Sequence, residues 1–227
     1  MPNNFLQIRL LVLFLVLFGV ASCSNMDVDL DTGKQARRAG DYALATHHLE
    51  PLAEFGIDEA KYEYGIVLLR KDDADDEDYA QALKYLESVR GKREGNALFE
   101  VGRVYEKGLG VSKDLDRALD YYARATEKGY SRGVYQSASV YEKKKDYNQA
   151  LALYKKALDG KFAKAAYGIG RLYERGRLGE KDLVTALSWY IHAENFGVKG
   201  MTKNIERIKS RLGAEDISKA YDASRRL

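Results

Sequence analysis

One cysteine, two prolines and three histidines occur in the 227 residues, and each scarcity closes off a class of protein. A single cysteine, Cys23, forms no internal disulfide, so a folded body must hold together by packing alone. With only Pro2 and Pro51, and no Ser/Gly-rich linker, long stretches carry no helix breaker, and abundant Ala, Leu, Lys, Glu and Tyr favour helix over sheet. His47 and His48 are neighbours, and adjacent helix positions diverge by about 100°, so the two do not share a ligand; His192 stands far off in sequence. Packed or surface histidines are the simpler reading. Neither sign of charge dominates: 37 basic residues face 34 acidic ones, a formal charge of +3, which makes no electrostatic case for nucleic acid. No catalytic, cofactor-binding or metal-binding residue is assigned, and no cofactor is expected.

Long apolar runs are also rare. The one near the start, Leu10 to Phe18, is short for a membrane-spanning helix, which needs about 20 apolar residues. Arg9 precedes it, and Gly19, Val20, Ala21 and Ser22 follow. A basic end, a short apolar core and small residues form an export signal. Val20-Ala21-Ser22-Cys23 resembles a bacterial lipobox. That resemblance implies diacylglycerol on the Cys23 thiol, cleavage before it and acylation of the new amino group. Each buried CH₂ of such chains adds about 0.8 kcal/mol of membrane affinity. An ordinary signal peptide or an uncut anchor is the other reading. Ser24, where an Asp would favour inner-membrane retention, implies sorting to the outer membrane, facing the periplasm. The expected segments are a signal peptide over 1–22 and a lipidated tether over 23–31.

The rest of the chain repeats itself. Gly102, Tyr105, Ala118 and Ala125 recur 68 residues later as Gly170, Tyr173, Ala186 and Ala193. Between them Tyr141 and Ala150 mark a shorter copy, in which the loop GLGVSKD shrinks to KKKD. Earlier copies run from Tyr62 through Ala82 and from Gly40 to Gly56. Each copy reads as two helices. Val101, Val104 and Tyr105 share one stripe, and Leu115, Ala118, Leu119, Tyr122 and Ala125 share another. Asp114 is placed to cap the second helix and Gly129 to close it. Gly102 and Ala118 allow close approach, and Tyr105, Tyr141 and Tyr173 are expected to fill the gaps between hairpins. Pro51 is expected to kink the second helix of the first copy near His47.

The pattern in which Ala97, Gly102, Tyr105, Gly108, Gly110, Val111, Asp114, Ala118, Tyr121, Tyr122, Ala125 and Gly129 recur resembles the Sel-one-like repeat family, relatives of the tetratricopeptide repeats. Residues 23–31 aside, the mature chain then becomes a right-handed all-α solenoid of about five hairpins over 32–197, closed by capping helices over 198–227. The resemblance implies a protein–protein interaction scaffold and no catalysis. Lipoproteins of this type assist exopolysaccharide export of the alginate kind, so the expected partners are envelope proteins, such as an outer-membrane porin or a polysaccharide export component, with the membrane reached through lipid on Cys23. A peptidoglycan- or polysaccharide-binding lipoprotein and a cell-wall hydrolase are the alternatives. Arg103, Gln136 and Arg171, near equivalent places on first helices, are the candidate partner-binding row.

Two charged stretches are read plainly. Lys71 to Asp78, KDDADDED, lacks the mid-loop Gly and the final Glu of a calcium-binding EF-hand and fits a solvated loop that caps the next helix. The basic C-terminal residues from Lys199 to Arg226 fit either a solvated cap or a contact with headgroups or acidic polymer. If Cys23 carries the lipid, labelled palmitate enters the native chain and fails to enter a Cys23→Ala variant. Equal labelling of the two would refute the anchor.

Overall fold

The computed structural model describes residues 29–227, so the signal segment and Cys23 lie outside the described residues. Every regular element among those described is helical. They are α1 (29–39), α2 (Tyr42–Glu54), α3 (Asp58–Leu68), α4 (Asp76–Ser88), α5 (Glu94–Lys107), α6 (Leu115–Glu127), α7 (Arg132–Lys143), α8 (Tyr147–Asp159), α9 (Lys164–Glu174), α10 (Leu183–Asn195), α11 (Thr202–Lys209) and α12 (Ala214–Ser224). A 3₁₀ turn, Gly91–Arg93, leads into α5. The helices pair in order as hairpins, and the fold class is an α-solenoid. The chain divides into two compact units, one of the described residues through Ala97 with Leu109–Val111, the other of Leu98–Gly108 and Ser112–Leu227.

Local chemistry sets where the second helices begin. Asp41, Asp75, Asp114, Asp146 and Asp182 each stand at an N-cap, and each carboxylate accepts from a free backbone N–H of the first turn. Such a cap is worth about 1 kcal/mol. The acidic run supplies one of them: Asp75 and Asp78 form a reciprocal capping box, and Lys71 pairs with Asp78 at 2.6 Å. In the shortened loop of the fourth hairpin, Lys145 precedes the capping Asp146 at φ 64°, where Gly40 precedes Asp41 at φ 83°. A left-handed backbone there suits glycine and strains lysine.

The first unit differs from expectation at its start. Residues 29–31 are already helical, held by Asp29 Oδ1 at 3.2 Å from His48 Nδ1 and by Lys34 Nζ at 3.3 Å from Asp31. The last three residues of the expected tether therefore belong to the first hairpin. α2 also runs as one element through Pro51, because Ala45, Leu49, Leu52 and Ala53 anchor one face on both sides of it. Leu49 lies on Gly33, where an added Cβ would stand 2.5 Å from its Cγ, so the first hairpin is a full one. In α3, Glu63 is 2% exposed and is paired by Arg37 of α1, while Arg93 donates to Glu59 through Nε and Nη2, one edge of its guanidinium, at 2.7–3.0 Å.

In the second unit the deep tyrosines are Tyr122, Tyr154 and Tyr190 on second helices, each at most 1% exposed. Tyr105, Tyr141 and Tyr173, expected in the core, are only partly buried at its edge. The reason is the glycine. A Cβ on Gly102 would come within 2.7 Å of the Tyr122 ring, and one on Gly170 within 2.6 Å of the Tyr190 ring. The bare backbone of the first helix thus receives the ring from the second. Tyr154 uses Gly168 of the following hairpin in the same way, at 2.7 Å.

A buried hydroxyl needs a partner. Tyr122 donates to Glu106, Tyr154 to Glu142 at 3.1 Å and Tyr190 to Glu174 at 2.6 Å. Each carboxylate is then met by the first helix of the next hairpin. Glu106 accepts from Gln136 at 2.8 Å and Lys143 at 2.6 Å, Glu142 from Arg171 at 2.5 and 2.6 Å, and Glu174 from Arg207. Burial pushes all three phenols well above their ordinary range, helped by the adjacent carboxylates. Burial also works to raise the Glu106 and Glu174 carboxyls, but the hydrogen bonds they accept outweigh it and hold both below the usual carboxylate range.

Two predictions follow from this packing. Ala118 is fully buried beside the tyrosine groove, so Ala118→Phe should overpack the hairpin at a cost of about 1–3 kcal/mol. Its melting temperature should fall clearly, Gly102→Ala should lower it too, and Lys113→Ala, on an exposed loop, should leave it unchanged. The second concerns acid. The Glu106 and Glu174 carboxyls titrate lower in the folded chain than in the unfolded one, so their contribution is complete above the unfolded value and is lost as pH falls through the folded one. Thermal stability should decline between about pH 5 and pH 3. The double variant Glu106→Gln/Glu174→Gln, less stable at neutral pH, should show a flatter decline.

Candidate functional site

First helices present the faces that sequence reasoning singled out, and the structure shows what their side chains do. Arg103 pairs with Glu100 one turn back on its own helix at 2.7 Å and remains 34% exposed. Gln136 and Arg171 instead reach to the preceding first helix, onto Glu106 and Glu142. Arg171 stands 68 residues after Arg103 but has Gly168 where Arg103 has Glu100, and Gln136 is out of register, since Ser139 is the residue 36 after Arg103. The three side chains therefore share a helix face but not one role, and each is engaged within the chain.

Arg171 is the most embedded. Its guanidinium lies 5.5 Å from the centre of the Tyr167 ring, and its Nη2 donates to both oxygens of Glu142. Burial works to lower its proton affinity, but the Glu142 charge prevails and the group is held above its ordinary value. Its Nε, enclosed by neighbours, has no hydrogen-bond partner among the described residues.

The ladder residues themselves were missed. The signal was present as the dipeptide Tyr-Glu, which recurs at 105–106, 141–142 and 173–174. In each pair the carboxylate is the covered member and the cation the more exposed one: 5% against 47% for Glu106 and Lys143, 12% against 27% for Glu142 and Arg171, 15% against 46% for Glu174 and Arg207. The face is built to display cations and to hide the anions that fix them.

Other groups are held in ordinary packing. His192 stacks on Phe196 at 4.6 Å and meets Trp189 edge-on at 5.7 Å. His192 and Phe196 border a cleft of about 390 Å³ with Leu158, Asp159, Lys161, Ala163 and Leu227. His48 faces Asp29, and His47 meets His48 edge-on at 5.1 Å. No group of three or more His, Cys, Asp or Glu is placed to hold a metal ion among the described residues. No described helix is long and apolar enough to cross a membrane. The proposed lipidation site, Cys23, lies outside the described residues.

Comparison with known proteins agrees with this geometry. The model of the Sel1 repeat matches residues 58–88, 95–130, 135–161 and 163–193, and proteins built from this repeat serve as protein–protein interaction scaffolds, generally without catalysis. The first hairpin lies ahead of the matched residues and departs most from the pattern. No curated protein matches the chain. Among solved structures, a Sel1 repeat protein from Oxalobacter formigenes aligns with a TM-score of 0.56 and 21% identity, over 87% of this chain and 82% of its own. A second, c5321, a protective antigen of uropathogenic Escherichia coli strains displaying the same repeat fold, aligns with a TM-score of 0.51 and 18% identity over 91% of this chain. The chain spans about half of that antigen, 54%. At these identities the structural likeness concerns the fold alone, but the repeat model covers more than half of the sequence, and the chain belongs to the Sel1 repeat family.

Proposed function

We propose that this chain is a lipid-anchored interaction scaffold of the bacterial envelope, tethered through Cys23 to the periplasmic face of the outer membrane. The observation that carries the reading is the ladder. Tyr122, Tyr154 and Tyr190, the carboxylates of Glu106, Glu142 and Glu174, and the cations of Lys143, Arg171 and Arg207 are committed to joining hairpins, which leaves a regular helical surface suited to a partner. The export pattern ending at Cys23 supports the location. A porin or polysaccharide export component is the partner class that fits this placement. Polysaccharide binding by the basic C-terminal helices is less well supported, since Arg207 and Lys209 on α11 are paired with Glu174 and Glu206.

The test is in-cell cross-linking of the anchored chain followed by mass spectrometry. One dominant envelope protein should be recovered, and its yield should drop when Cys23→Ala removes the tether. Recovery of no partner, or turnover of a cell-wall substrate by the purified chain, would overturn the reading. Charge reversal at Arg171 is unsuitable for mapping, because a carboxylate placed against Glu142 would unfold the joint.

A further inference from the structure

We propose that the first-helix face of the second unit, formed by α7, α9 and the part of α5 from Leu98 onward, docks an acidic, extended segment of a protein partner, with Arg132 and Lys164 as its principal contacts. This deepens the scaffold reading and rests on it. The case begins with where the carboxylates are. Along these three helix faces they are Glu100, Glu106, Glu142 and Glu174, with side chains 5–15% exposed. None is displayed to solvent. Second helices of the same unit are different: α6 shows Asp116, Asp120 and Glu127 outward, α8 shows Asp159 and α10 shows Glu194.

The cations on the first-helix face are not all neutralised. Arg132 and Lys164 occupy equivalent places, six residues before the small residues Ala138 and Gly170. Both are exposed, and neither has an ion pair among the described residues. Each instead lies over an aromatic ring of the preceding first helix, Arg132 at 5.3 Å from the Phe99 centre and Lys164 at 5.9 Å from that of Tyr135. A ring face holds a cation in place without cancelling its charge. Two oriented, unneutralised cations on successive hairpins, on a face without exposed anions, are complementary to carboxylates. Successive hairpins place such cations apart by a distance on the order of a helix diameter, about 10 Å. An extended chain of the polyproline II type advances about 3.1 Å per residue with three residues per turn, so acidic side chains three residues apart lie on one side of it and match the row.

Fluorescence anisotropy on the purified full chain tests this. The probes are a labelled peptide with Glu at every third position in a Ser/Gly background, and its Lys counterpart. The Glu peptide should bind and the Lys peptide should not. Arg132→Glu/Lys164→Glu should weaken binding about tenfold or more, with an unchanged circular dichroism melt. Lys155→Glu/Lys156→Glu, on the exposed face of α8, should leave it nearly unchanged. Equal loss in both double variants, no loss in either, or tighter binding to phosphatidylglycerol vesicles than to the Glu peptide would overturn the proposal. The same variants in the cross-linking experiment separate the two readings. A partner captured equally well by Arg132→Glu/Lys164→Glu sinks the acidic-segment inference and leaves the scaffold standing; no partner for the unmodified chain sinks the scaffold itself.

Discussion

A tyrosine ring laid into the bare backbone of a glycine is the contact on which the second unit depends. Tyr122 on Gly102 and Tyr190 on Gly170 bring each pair of helices closer than any side chain would permit. That burial creates a demand. The phenol oxygen is out of water, so it needs an acceptor, and Glu106, Glu142 and Glu174 supply one. A covered carboxylate in turn requires a cation, because stranding one of a buried pair costs about 3–5 kcal/mol. The cation comes from the next hairpin. One aromatic contact thus obliges each hairpin to have a successor, which is the nearest-neighbour coupling expected of a repeat protein.

The same logic explains how the series ends. Arg207 of α11 completes Glu174 as Arg171 completes Glu142, so α11 acts as the first helix of a sixth hairpin. In α12, Ala220 and Ser224 stand 34 residues after Ala186 and Tyr190, and both are buried. Ser224 satisfies its own hydroxyl by donating to the Tyr221 carbonyl at 2.7 Å. It therefore calls for no carboxylate. α12 also lacks the aspartate cap found on the five second helices before it, its N-cap being Gly213. In the first unit, Leu49 and Leu86 take the tyrosine place on Gly33 and Gly65. An aliphatic side chain makes no polar demand, and the buried Glu63 there answers to Arg37 and Arg93 instead.

Helical class, the serial hairpins, the Asp114 cap and the glycine turns could all be read from the chain. Each rests on spacing along one helix or on the chemistry of a single residue: Asp114 caps whatever helix follows it, and Gly129, at φ 83°, closes it. The row of Arg103, Gln136 and Arg171 was only partly legible. Those residues do lie on first helices, but whether a side chain points to solvent or into a joint depends on a residue some 30 positions away, as Glu142 does for Arg171. For the same reason Tyr105, expected in the core, lies at its edge while Tyr122 is enclosed. Both fall on apolar stripes, and only the approach of Gly102 decides which ring is enclosed.

Helical hairpins in series are already written in the order of the residues, because periodicity, caps and breakers act over a few residues and need no tertiary partner. The pattern at Cys23 that points to export and anchoring is likewise local. The character of the surface arises only on folding. A composition of 37 basic and 34 acidic residues is nearly neutral as a whole, and nothing local tells a buried Glu106 from an exposed Glu194. Folding sorts them, since a carboxylate sinks where a tyrosine hydroxyl and a neighbouring cation can satisfy it, while the flexible stem of a Lys or Arg lets its charge return to water.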